Sequence, residues 1–198
     1  MNSPAFLLLA SFVEGGAVMA VELVGAKMVA PYYGTSLYVW AAVLALTLGG
    51  LATGYFLGGA LSARHPSPRR LFAILALGAM LVGVMPHVAP LVMEATLGMG
   101  LRSGIVIACL VFLLPPLVLF GMVSPMIIRL ISSRGDRIGR AAGLVYTIST
   151  LGGILATFVA AFYAIPYLGL RLSAQLTALL LACFPLVYFM SCRRETVS

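Results

Sequence analysis

Hydrophobic residues in this chain are collected into six long runs that are separated by short polar breaks. The runs cover about residues 5–30, 37–62, 71–93, 104–131, 141–165 and 172–190. A helix of about 20 apolar residues crosses roughly 30 Å of hydrocarbon, so each run is long enough to span a membrane. A barrel would instead show alternating strands of about ten residues. The pattern predicts an all-α polytopic membrane protein with six transmembrane helices.

The breaks between the runs are short and carry the glycine, proline and arginine residues that are typical of turns. They read PYYGTS, ARHPSPRR, EATLGMGLRS, SSRGDRIGR and PYLGLR. Because none of them is long enough to fold by itself, we expect residues 1–198 to form a single six-helix domain.

Composition supports the membrane class and argues against nucleic acid. The chain is 62% hydrophobic and only 9% charged, whereas a soluble domain carries roughly 25% charged residues. The net charge is +7, but the basic residues sit in short clusters between apolar runs and form no face interleaved with aromatics. The expected partner of the surface is therefore the lipid bilayer, and no nucleic-acid partner is predicted.

The basic residues predict the orientation. Nine of the 12 fall on one side of the predicted membrane: Arg64, Arg69, Arg70, Arg129, Arg134, Arg137, Arg140, Arg193 and Arg194. The other side has Lys27, Arg102 and Arg171. Because Lys and Arg are enriched in cytoplasmic loops, we expect both termini to be cytoplasmic, in the inner membrane of the cell.

Small residues recur at four-residue spacing in the second and fifth runs. They are Gly50, Gly54 and Gly58, and then Gly152, Ala156, Ala160 and Ala164. This spacing places small residues on one helix face, where a neighbouring backbone can approach closely. Two three-helix repeats, as in half of a major facilitator transporter, would put these two helices at equivalent positions. The alternative is ordinary packing of small residues.

Two consecutive prolines interrupt the fourth run. Pro115 and Pro116 remove backbone donors, and they should kink or break this helix. A broken helix can line a binding site, but a simple bend is the other interpretation.

The first run contains three charged residues, although an ionised side chain in hydrocarbon costs at least a few kcal/mol. Glu14 is expected near the bilayer midplane and Glu22 about 12 Å further along, with both side chains in nearly the same sector of the helix. The long stem of Lys27 can carry its charge to the headgroups.

Hydroxyl-bearing side chains on other helices are the expected neighbours of these acids. They are Thr47, Thr53, Tyr146, Thr147, Ser149 and Thr150. From them we predict an intramembrane polar site made of Glu14, Glu22, Tyr146, Ser149 and Thr150. Its function would be to hold a cation or a proton. The alternative is structural, with a protonated carboxyl bonded to a hydroxyl or a backbone carbonyl. We predict no metal, no cofactor and no catalytic residue, since neither HExxH nor a plausible Ser–His–Asp set is present.

Two segments are similar to a known family. VMAVELVGAKMVAPYYGTSLYVWAAVLALTLGGLATGYFLGGALSAR and GMVSPMIIRLISSRGDRIGRAAGLVYTISTLGGILATFVAAFYAIPYLGLR resemble the membrane portion of the fused major-facilitator/spermidine synthase family. Together they cover about half of the chain.

The resemblance implies roles for particular residues. The acid of the family's first helix corresponds to Glu22. Its turn corresponds to Pro31, Tyr32, Gly34, Thr35 and Ser36, and its fifth-helix motif to Gly143, Leu144, Tyr146, Thr150, Leu151 and Gly152. Ser149 stands where the family usually has asparagine, so any polar contact made by that amide would be changed here.

Full-length members of this family join the membrane bundle to a cytosolic aminopropyltransferase-like domain. Only SCRRETVS follows Met190, and we find no Gly-rich nucleotide-binding turn. We therefore expect a module that is not catalytic alone and that anchors or partners a separately encoded cytosolic spermidine-synthase-like domain. The alternative is a small transporter of polyamines or other organic cations, which would work as a homodimer because six helices make half of a major facilitator pore.

Overall fold

The structure, a computed structural model, describes residues 3–64, 66–132 and 138–195, with side chains described as far as Cys192. Seven α-helices account for most of these residues: α1 Pro4–Tyr33, α2 Leu37–Arg64, α3 Pro68–Thr96, α4 Leu101–Phe112, α5 Leu114–Ile131, α6 Ile138–Val159 and α7 Gly169–Glu195. A 3₁₀ turn at Leu97–Met99 joins α3 to α4, and a π-helix at Ala160–Leu168 continues α6.

The helices are longer than the apolar runs predicted. The first helix continues past residue 30 through Pro31 to Tyr33, where the backbone N–H of Gly34 donates to the Ala30 carbonyl at 2.9 Å. Proline is tolerated there because it removes only one donor close to a helix end. The predicted turn is consequently reduced to residues 34–36. Polar residues also extend α3 and α7 at both ends, because hydropathy marks the membrane core and not the helix boundary.

Three glycines with positive φ mark chain reversals at one end of the bundle. Gly34 and Gly169 both have φ 77°, and Gly100 has φ 83°. A residue with a side chain rarely adopts this conformation, whereas glycine does so without a steric penalty. Gly169 separates the π-helix that continues α6 from α7. Leu155 precedes this glycine in the chain and Leu180 follows it, yet both line the same cleft, so the chain reverses at Gly169. A straight helix would place those two residues about 37 Å apart.

The fourth run is not one helix. It forms α4 and α5, which meet at Leu113. Pro115 lies in the first turn of α5, where a missing backbone donor costs little. The break predicted from the two prolines is therefore confirmed, and the single helix predicted over 104–131 is corrected to two.

Close packing of α2 on α5 rests on glycine. A Cβ atom built on Gly54 would lie 2.7 Å from the Gly121 Cα, and one built on Gly58 would lie 2.6 Å from the Met122 Cα. Gly50 faces Leu117 in the same way, at 3.0 Å from its Cβ. The glycine stripe predicted on the second run thus lies against a neighbouring helix, and the two helices run parallel.

Helix α1 lies at the centre of the bundle, and 67% of its most apolar stretch is buried. It runs parallel to α6, since the Ser11 hydroxyl donates to the Val145 carbonyl at 3.4 Å and Gly15 contacts Ser149. Helix α7 returns antiparallel to α3, and the rings of Phe72 and Tyr188 stack with centroids 4.5 Å apart. These directions bring the start of α1 and the end of α7 to the same end of the bundle.

Five of the eight described Lys and Arg side chains lie at the end of the bundle where α1 starts and α7 ends, and all five are exposed. They are Arg64, Arg69, Arg70, Arg129 and Arg140. Lys27, Arg102 and Arg171 lie at the opposite end, where Arg102 sits 5.0 Å from the centroid of the Tyr38 ring. Arg134 and Arg137 fall outside the described residues, as do the side chains of Arg193 and Arg194.

Five helical segments are long and apolar enough to cross a membrane, and a shorter apolar helix is formed by Leu101–Phe112. The described residues form helices and the turns that connect them, with no strand among them. The prediction of an all-helical chain with several membrane-length helices is confirmed, and these helices indicate a multi-pass membrane protein.

Candidate functional site

The contact between α1 and α6 is made by small residues on both helices. A Cβ on Gly15 would collide with the backbone carbonyl of Ser149, and one on Gly152 would collide with the carbonyl of Phe12. Such close approach needs glycine at the crossing. It places the residue before Gly15, which is Glu14, directly beside the Ser149 stretch of α6.

Glu14 is buried, and no basic side chain among the described residues pairs with it. Its side chain is 2% exposed. The hydroxyl of Ser149 faces the carboxyl group, but Oε2 has no hydrogen-bond partner of standard geometry. An unsatisfied carboxylate oxygen in a low-dielectric environment costs free energy, so this atom needs a proton, a water or a cation.

A cleft of about 240 Å³ opens beside this carboxyl group. Its walls come from α1, α2, α5 and α6. The polar residues in its lining are Glu14, Tyr55, Ser124, Ser149, Thr150 and Thr157. Within the described part of the chain, this lining contains no Lys, Arg or His. One potential negative charge therefore faces a set of hydroxyl groups, with no built-in counter-ion.

Two tyrosines form the edge of the cleft between α2 and α6. The rings of Tyr55 and Tyr146 meet edge to face, with centroids 6.5 Å apart. They are 41% and 45% exposed at the surface of the bundle. Tyr55 lines the cleft, whereas Tyr146 is not among the lining residues and reaches the cleft only through its ring contact with Tyr55.

Glu22 lies apart from this cleft. It is only 7% exposed, so Glu22, like Glu14, lies inside the bundle and not at its surface. Its carboxyl group faces the hydroxyl of Thr47 on α2, although that hydroxyl has no hydrogen-bond partner of standard geometry. Glu22 is not among the residues that line the cleft.

The predicted polar site is therefore divided. The structure brings Glu14, Ser149 and Thr150 together, and Tyr146 joins them through Tyr55. Glu22 forms a separate polar contact about 12 Å further along α1. Thr53 and Thr147, the other expected neighbours, are exposed at the bundle surface, and Thr53 donates to the Gly49 carbonyl of its own helix at 2.8 Å.

Three polar residues of the lining were not found from the sequence: Tyr55, Ser124 and Thr157. Thr157 carried a usable signal, because Ser149, Gly153 and Thr157 recur every four residues and share one face of α6. Tyr55 and Ser124 lie beside the glycines that pack α2 on α5. Their position could be inferred only once the pairing of those helices was known.

A second cleft is larger, at about 550 Å³, and lies between α1, the α6–π segment and α7. Its lining is mostly apolar. Two of its hydroxyl groups are already bonded within α7: Ser173 donates to the Gly169 carbonyl at 2.7 Å and Thr177 to the Ser173 carbonyl at 2.8 Å. The smaller cleft is the one of the two whose lining includes an acidic side chain, Glu14. The small residues Gly152, Ala156 and Ala160 line this larger cleft, where Gly152 and Ala156 pack against α1.

Among the described residues, no three His, Cys, Asp or Glu side chains lie close enough together to hold a metal ion. Comparisons with protein-family models, curated proteins and solved structures gave no match to this chain.

Proposed function

We propose that this chain is an integral membrane module that binds a cation at Glu14 and belongs to a small transporter of organic cations. One observation carries the proposal. Glu14 is almost fully buried, its Oε2 has no partner, and it faces a cleft that contains several hydroxyl groups and no basic residue among those described. Acidic residues placed in this way inside membrane helices mark ion or substrate pathways in many proteins.

A purely structural carboxyl group would be expected to satisfy its oxygens within the bundle. In Glu14, by contrast, Oε2 has no hydrogen-bond partner, and the cleft leaves space beside the carboxyl group. A bound cation would neutralise the carboxylate, and the hydroxyl groups of Ser149 and Thr150 could replace part of its hydration shell. This arrangement suits reversible binding, since the ligand supplies the charge that the protein lacks.

The pairing of helices supports an architecture of two three-helix repeats. If α4 and α5 count as one broken helix and α6 with its π-helix counts as another, each repeat has three helices. The first repeat is α1, α2 and α3, and the second is α4–α5, α6 and α7. Exchanging the repeats converts the α1–α6 contact into the α2–α5 contact and leaves α3–α7 unchanged. This is the pairing that inverted repeats produce in half of a major facilitator transporter. We infer six crossings, with a second copy of the chain completing the transporter.

The distribution of charge supports an inner-membrane protein with cytoplasmic termini. Both terminal helix ends lie at the end of the bundle that carries Arg64, Arg69, Arg70, Arg129 and Arg140. By the positive-inside rule this end faces the cytoplasm.

Cation-dependent stability tests the proposal. The purified chain would be placed in lipid nanodiscs, and its thermal unfolding measured with Na⁺, K⁺, protons or organic ammonium ions, each compared with the others at the same ionic strength. A ligand that binds only the native state raises the unfolding temperature. We expect at least one cation to do so with the wild-type chain and with Glu22→Gln, but not with Glu14→Gln.

Glu22→Gln is the matched control because it removes the other buried carboxyl group of α1, which does not line the cleft. Equal responses of the two variants, or a wild-type chain that is indifferent to every cation, would refute a binding site at Glu14.

A second function is favoured by the exposed arginines at the terminal end of the bundle. Five cationic side chains at one end form a surface that would attract an acidic soluble protein. Such a basic surface suits a membrane module that anchors a separately encoded, spermidine-synthase-like cytosolic protein. Binding of such a purified protein to nanodiscs should weaken with salt and in the Arg69→Glu, Arg70→Glu variant. Binding that is indifferent to both changes would exclude this surface.

A further inference from the structure

We infer that the ligand of the Glu14 cleft is a small organic ammonium ion with a single positive charge, and not a polyamine or a bare metal ion. This inference rests on the proposed function and specifies its substrate class. It follows from the charge, the chemistry and the volume of the cleft.

The number of acidic groups limits the charge of the ligand. The chain has only five acidic residues: Glu14, Glu22, Glu94, Asp136 and Glu195. Glu14 alone lines the cleft, Glu22 faces Thr47, and Glu94 is exposed near the end of α3. Asp136 lies outside the described residues, in the segment between α5 and α6, and Glu195 is at the terminal end of α7. Within the cleft of one chain, a ligand with two or three ammonium groups would therefore meet a single carboxyl group, and at least one of its charges would be left without a partner, which is strongly unfavourable in a buried site.

The remaining lining suits an organic cation better than an inorganic one. A hard metal ion requires about six oxygen ligands, including carboxylates or carbonyls, but this cleft offers one carboxyl group and otherwise hydroxyl groups. An organic ammonium ion needs fewer partners. A primary ammonium group can donate its N–H groups to the carboxylate and to one or two hydroxyls, whereas a quaternary ammonium group, which has no N–H, needs only the negative charge and an aromatic face. Thr157 can accept a hydrogen bond from a primary ammonium group because its own proton is donated to the Gly153 carbonyl at 2.8 Å.

The tyrosine pair provides an aromatic wall for the same ligand. Tyr55 lines the cleft, and Tyr146 holds its ring edge to face. Aromatic faces attract organic ammonium ions, and the attraction grows as water is excluded. Apolar side chains of Val18, Met19 and Ile154 complete the lining and can contact the carbon atoms of the ligand.

The volume of the cleft limits the size of the ligand. A space of about 240 Å³ corresponds to on the order of eight water molecules at their liquid volume of about 30 Å³ each. A compact amine such as ethanolamine or choline fits within this volume. The volume admits a short diamine as well, so it is the single carboxyl group of the cleft, and not its volume, that disfavours putrescine and spermidine.

Competition among defined cations tests the inference. The full chain in nanodiscs would be titrated separately with ethanolamine, choline, putrescine, spermidine and Na⁺, and the rise in unfolding temperature measured at constant ionic strength. We expect ethanolamine or choline to act at concentrations at least tenfold lower than putrescine, spermidine or Na⁺. The response should be lost in Glu14→Gln and kept in Glu22→Gln.

Two substitutions of Tyr55 keep the test decisive if Glu14→Gln does not fold. Tyr55→Phe retains the ring and should bind the favoured amine within about twofold of wild type. Tyr55→Leu removes the ring and should weaken binding about fivefold, as expected for loss of one cation–π contact.

Stronger stabilisation by spermidine or putrescine than by either monoamine would overturn the inference. A response confined to Na⁺ or to protons that still depends on Glu14 would also overturn it, while leaving the proposed cation site intact. The absence of any Glu14-dependent response would refute both.

Discussion

At the scale of single residues, two buried glutamates on one helix have different surroundings. Glu14 borders a cleft with space for a ligand, whereas Glu22 faces one threonine hydroxyl across the α1–α2 contact. The same residue type, eight positions apart, can therefore bind a ligand in one place and stabilise a helix contact in the other. The difference comes from the neighbouring helix, because Glu14 meets the Ser149 stretch of α6 and Glu22 meets Thr47 of α2.

The contact between Glu22 and Thr47 should contribute little to stability. Polar contacts between membrane helices average about 0.6 kcal/mol, and the Thr47 hydroxyl lacks standard hydrogen-bond geometry. We expect Thr47→Val to lower the free energy of unfolding by less than about 1 kcal/mol, measured by reversible denaturation in detergent micelles.

Thr53→Val is the matched control on the same helix, since the Thr53 hydroxyl bonds to its own backbone and faces the bundle surface. A loss above about 2 kcal/mol at Thr47 only would show that this hydroxyl holds α1 and α2 together.

At the scale of helices, glycine decides which faces can meet. Gly54 of α2 and Gly121 of α5 lie opposite each other, so that the Cβ position of Gly121 is 3.0 Å from the Gly54 Cα. Other glycines of α2 face open space, including Gly49 and Gly59, where a Cβ would have no neighbour within 4 Å. The same residue type thus has a packing role only on the face that meets α5.

Gly54→Ala should destabilise the bundle by about 1–3 kcal/mol, because the added methyl group overpacks a backbone contact. Thermal unfolding in detergent measures this loss. Gly49→Ala should leave stability unchanged or raise it, since alanine favours a helix over glycine and has room there. Equal effects at the two positions would show that the α2–α5 contact does not depend on close approach.

The sequence allowed the helices to be predicted because hydropathy reports directly which segments can enter a membrane. It also allowed prediction of the α2 face that is buried, since Gly50, Gly54 and Gly58 recur on one side of the helix. The partner of that face could not be predicted, because small residues permit a close neighbour without specifying which one. Ser149 and Thr150 lie beside Glu14 in the structure. Tyr55 was missed and Glu22 was expected in the same site, because the neighbour of each face of α1 could not be known from the sequence.

At the scale of the whole molecule, the bundle has two chemically different ends. One end carries five exposed arginines and both terminal helix ends. The other carries the glycine reversals at Gly34, Gly100 and Gly169. A membrane protein with this polarity has a defined orientation, and that orientation can be read with cysteine chemistry.

We expect a membrane-impermeant maleimide to label Thr35→Cys, but not Cys192, in intact cells. Thr35 is exposed in the turn between α1 and α2, and Cys192 is exposed near the end of α7. Replacing Cys183 by serine removes the other exposed thiol. Permeabilised cells provide the control, in which both positions should react. Labelling of Cys192 in intact cells would reverse the proposed topology.

The central position of α1 has a consequence for how the protein is made. Its polar partner on α6 is far away in sequence, as the separation of 134 residues between Ser11 and Val145 illustrates. At a synthesis rate of about 5–20 residues per second, Ser11 is made roughly 7–27 s before Val145. During this interval the carboxyl group of Glu14 lies in the bilayer or the insertion machinery without the helix that will face it. The packing of α1 thus depends on a helix that is made much later. If the ribosome stalled before α6, the released intermediate would carry Glu14 without its neighbouring helix and would be a substrate for membrane quality control.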